Sequence, residues 1–408
     1  MLRVTTILIV LCASVFAAND DIILSSGERL QAEAWGGRGS WRIAGRNLRG
    51  NEVLIIRFAP DPAPVRLPSG IFLRGGSLLA GTLVSLAGDT AEINSSTLGP
   101  LKLKREDIAG FFSPLPAGQP ENMPELARYS NLAAAVLGAH GAALQPGQRT
   151  RVRFAGLDEV QPERVMRVGA EQILLSAKNK TVDTVNRQFV RLVEIQVPEL
   201  QPSPEQKQLG PEVIVRLKGG DLLRGRVLKL DDKVLYLSVP ALGEKVIDRS
   251  LLAALFLAGS ENCGVTWLST QKPARNVHTP FLDSDFPARM DASVDGGNIV
   301  VKDQPCERGI GVHSRSELEF VLPGAPAKFI ALAGIDAETK GRGSVTANVL
   351  ADGKEVWKSP TMTGKDAAAL IAADIGAAKA LVLQVDFGPD EDDSGDHFDW
   401  GWAAIVNK

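Results

Sequence analysis

The chain has 408 residues, 44% of them hydrophobic, with 45 Lys and Arg against 48 Asp and Glu for a net charge of −3. That is enough apolar material for roughly two to four cores. The near-balanced charge excludes a whole-chain electrostatic pull toward nucleic acid or an anionic membrane surface.

Met1-Leu-Arg3 followed by an apolar run from Val4 to Ala18 reads as a secretory signal peptide over 1–17, with small residues for cleavage near Ala17 or Ala18. The run falls short of the ~20 residues needed to span a bilayer. A secreted, periplasmic or cell-surface location is expected, with no membrane insertion after cleavage. Removal of the leader takes Cys12 with it and leaves Cys263 and Cys306. An even pair in an exported chain predicts a disulfide between them, with two buried free thiols as the alternative.

Residues 20–258 read as repeated small β units. Leu73-Arg-Gly75-Gly76-Ser-Leu78-Leu79-Ala-Gly81 reappears 144 positions later as Leu217-Lys-Gly219-Gly220-Asp-Leu222-Leu223-Arg-Gly225. The register holds without a gap to Phe112 and Phe256, which argues for internal duplication. Each copy reads as strand, Gly-Gly turn, strand, turn, strand and two short closing strands. Clear units are expected over 69–115 and 211–258, and degenerate ones over 20–59 and 150–198. Pro-rich stretches at Pro60 to Pro64 and Pro198 to Pro211 read as linkers. A helical segment is expected over 121–145, where Leu126, Tyr129, Leu132, Ala133, Val136 and Leu137 form an apolar stripe.

The spacing from Val215 to Asp231, with Gly at the bends, resembles the Sm-like small barrel. Some relatives of that kind bind RNA. Here eight Lys and Arg face six Asp and Glu over 211–258, too little for a phosphate-tracking surface, and stacking aromatics are missing. The units are therefore expected to be spacers or contacts to cell-envelope proteins, with no nucleic-acid partner.

Beyond 260 the pattern changes. Ile310, Val312, Leu318, Phe320 and Leu322 share one face of an extended run, while His313, Arg315, Glu317 and Glu319 share the other. Asp291-Ala-Ser-Val-Asp-Gly296, Gly309-Ile-Gly-Val-His313, Gly334-Ile-Asp336, Gly341-Arg342-Gly343 and Asp396-His397-Phe398-Asp399-Trp400 follow in order. Together with Trp267-Leu-Ser269 upstream, this series resembles the NPCBM family of carbohydrate-binding modules over 260–408. The resemblance implies a jelly-roll β-sandwich of the galactose-binding type with a glycan site in its loops. The fold class expected for the whole chain is thus all-β: small Sm-like barrels, one helical segment and a C-terminal sandwich.

Candidate ligand-binding residues on this reading are His313, Arg315, Asp336, Arg342, Asp396, Asp399 and Trp402. Trp400 and Trp402 are expected on the same side of a closing strand, Trp400 in the core and Trp402 available to the apolar face of a sugar. The acidic run Asp386 to Asp399 carries seven acids and no Lys or Arg. Asp390, Asp392 and Asp393 there are candidate Ca²⁺ ligands, with a solvated acidic loop as the alternative. The family carries another acid just after the closing Trp, where Trp402 stands, which weakens an inherited calcium site. No nucleophile motif, phosphate loop or metal-spaced His pair is present in the sequence. The expected function is that of an exported, non-enzymatic carbohydrate-binding protein. A cell-envelope scaffold and, more remotely, a divergent glycoside hydrolase are the alternatives.

Overall fold

The computed structural model describes residues 19–58, 67–113, 150–154, 159–177, 181–195, 209–259, 263–281, 285–390 and 392–408. The expected signal peptide and the expected helical segment at 121–145 lie outside them. The described elements are strands and short 3-10 turns. The chain is all-β.

Residues 21–57, 70–112, 151–194 and 213–257 share one pairing scheme. In the second, Gly70–Leu73 pairs with both Leu78–Ala87 and Ile108–Phe112, Leu78–Ala87 with Thr90–Ser95, and Thr90–Ser95 with Gly99–Lys104. The long second strand bends sharply, one half pairing backward and the other forward, with a register shift between Leu83 and Ser85. Gly81 sits just before the bend at φ +142°, and a Cβ there would lie 2.1 Å from the Asn94 carbonyl oxygen. Its counterpart Gly225 meets Ser238 O at 2.3 Å. Only glycine fits either site.

The sheets do not close into the expected barrels. A 3-10 turn, Arg105–Asp107 or Arg249–Leu251, carries the chain from the fourth strand to the fifth without pairing them. The free edge of the fifth strand goes elsewhere. Ile108–Phe112 pairs with Val190–Glu194, Phe111 opposite Val193, and Leu252–Leu257 pairs with Val53–Arg57, Leu255 opposite Ile56. Units thus join fifth strand to fifth strand, second with third and fourth with first. The shared sheet spans all four.

The C-terminal residues form a two-sheet sandwich. The inner sheet runs Arg289–Met290, Gly309–His313, His397–Asn407, Ala327–Ile335, Ala369–Gly376, with Val265–Trp267 beside the far end of His397–Asn407. The outer sheet runs Arg275–His278, Ser316–Val321, Ala380–Phe387, Ser344–Ala351, Lys354–Lys358. Ile310, Val312, Leu318, Phe320, Phe329, Val345, Leu383, Phe398 and Trp400 fill the space between. The outer sheet alternates cleanly, burying Val345, Ala347 and Val349 while Thr346, Asn348 and Leu350 face out. In the inner sheet, the central strands Gly309–His313, Ala327–Ile335 and His397–Asn407 are buried on both faces.

Its second face is covered by the repeats. Ile330, Leu332, Ala404, Val406 and Trp402 join the core of the first and fourth units. Trp402 meets Phe256 edge-on at 5.1 Å and Trp267 at 5.8 Å. Arg216 and Glu307 form a fully buried ion pair across this junction. Arg308 donates to Ala258 O at 3.2 Å, and burial pulls its guanidinium down to about 10. Trp400 and Trp402 therefore lie on opposite sides of their strand. The cause is a bulge: the pairing with Ala327–Ile335 slips between Ile330 and Leu332, and Trp402 takes φ +53°.

Cys263 and Cys306 are both buried and are not bonded to one another, so the expected disulfide is not formed. Cys263 precedes the strand whose Val265 pairs with Val406, whereas the Cys306 sulfur lies against Gly401. Five residues of extended chain, about 16 Å, separate those places, and a disulfide needs Cα atoms within ~7 Å.

Candidate functional site

The outer sheet carries the open site. Register aligns Val277, Glu317, Gln384, Asn348 and Lys358 as one row across all five strands. Together with Arg275, Thr346, Asp386 and Arg315 this row lines a cleft of about 370 Å³, within the range of ligand clefts. Arg275 is ion-paired with Glu317 at 2.7 Å, and Gln384 donates to the same carboxylate at 2.8 Å.

Arg315 closes one end. It sits in the tight turn between Gly309–His313 and Ser316–Val321 at φ +57°, which throws its side chain outward. The side chain is 50% exposed; its guanidinium lies 5.5 Å from the Phe387 ring and 3.9 Å from Asp386 Oδ1. Phe387 in turn meets Phe281 edge-to-face at 5.5 Å. Phe281 is 49% exposed and reaches Arg315 only through Phe387; neither ring lines the cleft itself. The chemistry is mixed: donors from Arg275, Arg315 and Lys358, acceptors from Glu317 and Asp386, amides from Gln384 and Asn348.

The other expected ligand residues lie elsewhere. His313 is 3% exposed and stacks on Phe286 at 4.3 Å. Burial, helped by the charge of His397, lowers it to about 4, so it is neutral near pH 7. The face expected to be open is covered: Phe286, His278 and His397 pack around His313, and Ala292 closes over Gly311, where a Cβ would lie 2.4 Å from Ala292 O. Asp336 is buried and caps the 3-10 turn Ala337–Thr339, accepting from Glu338 N at 2.7 Å and Val300 N at 2.9 Å. Asp396 is buried and accepts from Ser344 N at 2.8 Å. Burial raises its carboxyl to about 6. Asp399 is wholly buried, and Trp402 is sealed in the junction with the repeats. None of these five can touch a ligand in the cleft. Arg342 is exposed but donates to Thr339 O at 3.2 Å, outside the cleft lining.

The three acids read as calcium ligands do not converge. Asp390 and Asp392 are exposed, and Asp392 is used to cap Ser394 at 3.0 Å. Among the described residues the group close enough to hold an ion is Asp295, Glu338 and His397.

Sequence reasoning missed Arg275, Phe281, Asn348, Gln384 and Phe387. Alternation in their strands marks Asn348 and Gln384 as outward-facing, but only the strand order places them beside Arg315.

The C-terminal residues thus form a two-layer β-sandwich with a polar cleft on its outer sheet. Residues 264–406, which form the C-terminal sandwich, match the NPCBM/NEW2 domain family. A Renibacterium salmoninarum protein named "Putative endo-alpha-N-acetylgalactosaminidase" is 31% identical over 104 residues, 26% of this chain and 7% of that protein. This chain spans only that small part of the curated relative's length. Among solved structures, CBM51 from Clostridium perfringens GH95 in complex with methyl-galactose is similar at 25% identity, covering 35% of this chain and 99% of that one, with a TM-score of 0.31. The CBM51-2 and INT domains of Clostridium perfringens ZmpB are similar at 24% identity, covering 44% and 38%, with a TM-score of 0.32.

Proposed function

We propose that this chain is an exported, non-catalytic carbohydrate-binding protein whose glycan site is the outer-sheet cleft closed by Arg315, with the Phe387–Phe281 pair beyond that arginine. The observation that carries this reading is the pairing of a polar row with an exposed aromatic on a domain of the NPCBM/NEW2 family. A sugar presents hydroxyls that both donate and accept on its edge and C–H groups on its face. The row answers the edge and Phe281 the face. Mixed donors and acceptors matter because each hydroxyl left unpaired on burial costs about 1–3 kcal/mol. An open cleft with few such contacts supports affinities from micromolar to millimolar, roughly 4–8 kcal/mol.

The non-catalytic reading follows from the family, whose members are binding modules. The repeats, read here as open relatives of the Sm-like barrel, serve as a rigid mount: the sandwich is fastened to them through Arg216, Glu307, Trp267 and Trp402. Export follows from the leader-like residues 1–17.

A glycan array probed with the full chain tests this, with galactose and N-acetylglucosamine as first soluble competitors. Saturable retention of a glycan class is the expected result. No retention on any printed glycan would overturn the reading in favour of an envelope scaffold.

A further inference from the structure

Three of the chain's four histidines gather at one end of the sandwich. His313 is paired with His397, ring centroids 5.4 Å apart, and His278 lies 5.7 Å from His313. His397 turns away from the other two toward carboxylates. Its Nδ1 lies 2.8 Å from Glu338 Oε1, and the Asp295 carboxylate comes in from the loop above. One ligand atom from each of the three falls within 4.8 Å of the others. Glu338 is pre-positioned: Ser293 donates to its Oε2 at 2.7 Å, and Asp336 caps the turn that carries it.

A second observation bears on the same place. Asp399, two residues along the strand from His397, is wholly buried, and neither of its carboxyl oxygens accepts a hydrogen bond. The Asp399 carboxyl faces that of Asp336, whose oxygens cap the turn that carries Glu338.

We propose that Asp295, Glu338 and His397 bind a divalent transition-metal ion of the Zn²⁺ or Co²⁺ class, which fastens residues 291–298 to the sandwich. One imidazole nitrogen with two carboxylate oxygens suits such an ion, at ligand distances of about 2.0–2.2 Å. Ca²⁺ would instead require six to eight oxygens. On binding, the Nδ1–H···Oε1 hydrogen bond is replaced by Nδ1–metal–Oε1, and the imidazole proton leaves to solvent. The Ser293 hydroxyl keeps its bond to the other Glu338 oxygen and orients the ligand from behind. The site shares no residue with the cleft, so it stands or falls separately from the glycan reading.

The test uses the full chain, stripped with chelator, titrated with zinc chloride by calorimetry and with cobalt chloride by visible absorption. One saturable site of micromolar affinity is expected, with a cobalt d–d band. Glu338→Gln and Asp295→Asn should each weaken zinc binding by at least about tenfold, while His140→Ala should leave it unchanged. Asp295 is exposed, so its variant reports even where Glu338→Gln does not fold. Absence of saturable zinc binding below millimolar, or equal binding by Asp295→Asn and wild type, overturns the proposal.

Discussion

Leu78 pairs across the sheet with Leu222, its own counterpart 144 residues later in the chain. The contact therefore lies on a local twofold axis between the second and fourth units. The hydrogen bonds around it obey the same symmetry. Ala80 N donates to Asp221 Oδ1 at 3.0 Å, and Arg224 N, the counterpart of Ala80, donates to Ser77 Oγ at 3.0 Å, the counterpart of Asp221. An ancestral self-contact survives with one acceptor changed from hydroxyl to carboxylate.

That asymmetry makes Asp221 the vulnerable member. It is fully buried and also accepts from Ser95 Oγ at 3.2 Å. Asp221→Ala leaves two buried donors without an acceptor and should cost about 1–3 kcal/mol in urea unfolding. Asp221→Asn keeps an acceptor oxygen and should cost less. An alanine variant as stable as wild type would refute the symmetric hydrogen bonding.

Trp402 joins two parts of the protein and Trp400 fills only one. Truncating either should cost about 3–5 kcal/mol. The signatures differ, because Trp402 packs on Phe256 of the fourth unit and Trp400 on Phe329, Trp357 and Phe398. Trp402→Ala should raise proteolytic cleavage between the repeats and the sandwich, near 259–263, before the sandwich itself opens. Trp400→Ala should expose sites within the sandwich. Identical cleavage maps would count against the separation.

The two cysteines give a direct reading. Denatured, unreduced protein should react at both Cys263 and Cys306, visible as two adducts in the peptide map. A Cys263–Cys306 cross-linked peptide would contradict the strand register placed here.

Glu194 makes stability depend on pH. It is buried beside Arg151 at 2.7 Å, and burial outweighs that partner, raising the carboxyl from 4.5 to about 7. A folded-state value above the unfolded one means the native state holds the proton more tightly. The resulting stabilisation is full below about pH 4.5 and is lost as pH rises through about 7. Glu194→Gln should remove that slope, so wild type should lose ground to the variant between about pH 5 and 8. A constant difference over this window would show that Glu194 titrates normally.

Much of this was readable in the residues. The repeat was legible because a gapless match at a spacing of 144 residues preserves Gly at each bend, where backbone carbonyls press in at Gly81 and Gly225. The sandwich core was legible from Ile310, Val312, Leu318 and Phe320, which alternate as strand residues must. Arg315 was rightly read as exposed. What failed was the step from strand face to environment. The face of His313 is roofed by Phe286 and His278 from a segment earlier in the chain, and Trp402 is turned over by a one-residue bulge. Neither leaves a mark in local periodicity. The cleft itself depends on register among five strands drawn from 275 to 387, so Gln384 and Asn348 gain meaning only beside Glu317.

The central claim is that the outer-sheet cleft binds glycan, and Arg315 tests it most directly. Calorimetric titration with a glycan retained on the array should be run on wild type and Arg315→Ala, with Phe281→Ala alongside. Arg315 is half exposed at the rim, so its loss should leave the melting temperature unchanged. Affinity should fall about tenfold or more, equivalent to ~1.4 kcal/mol, and Phe281→Ala should weaken it in the same direction. Undiminished affinity in both variants, with the fold intact, would place the glycan elsewhere on the sandwich and contradict the account.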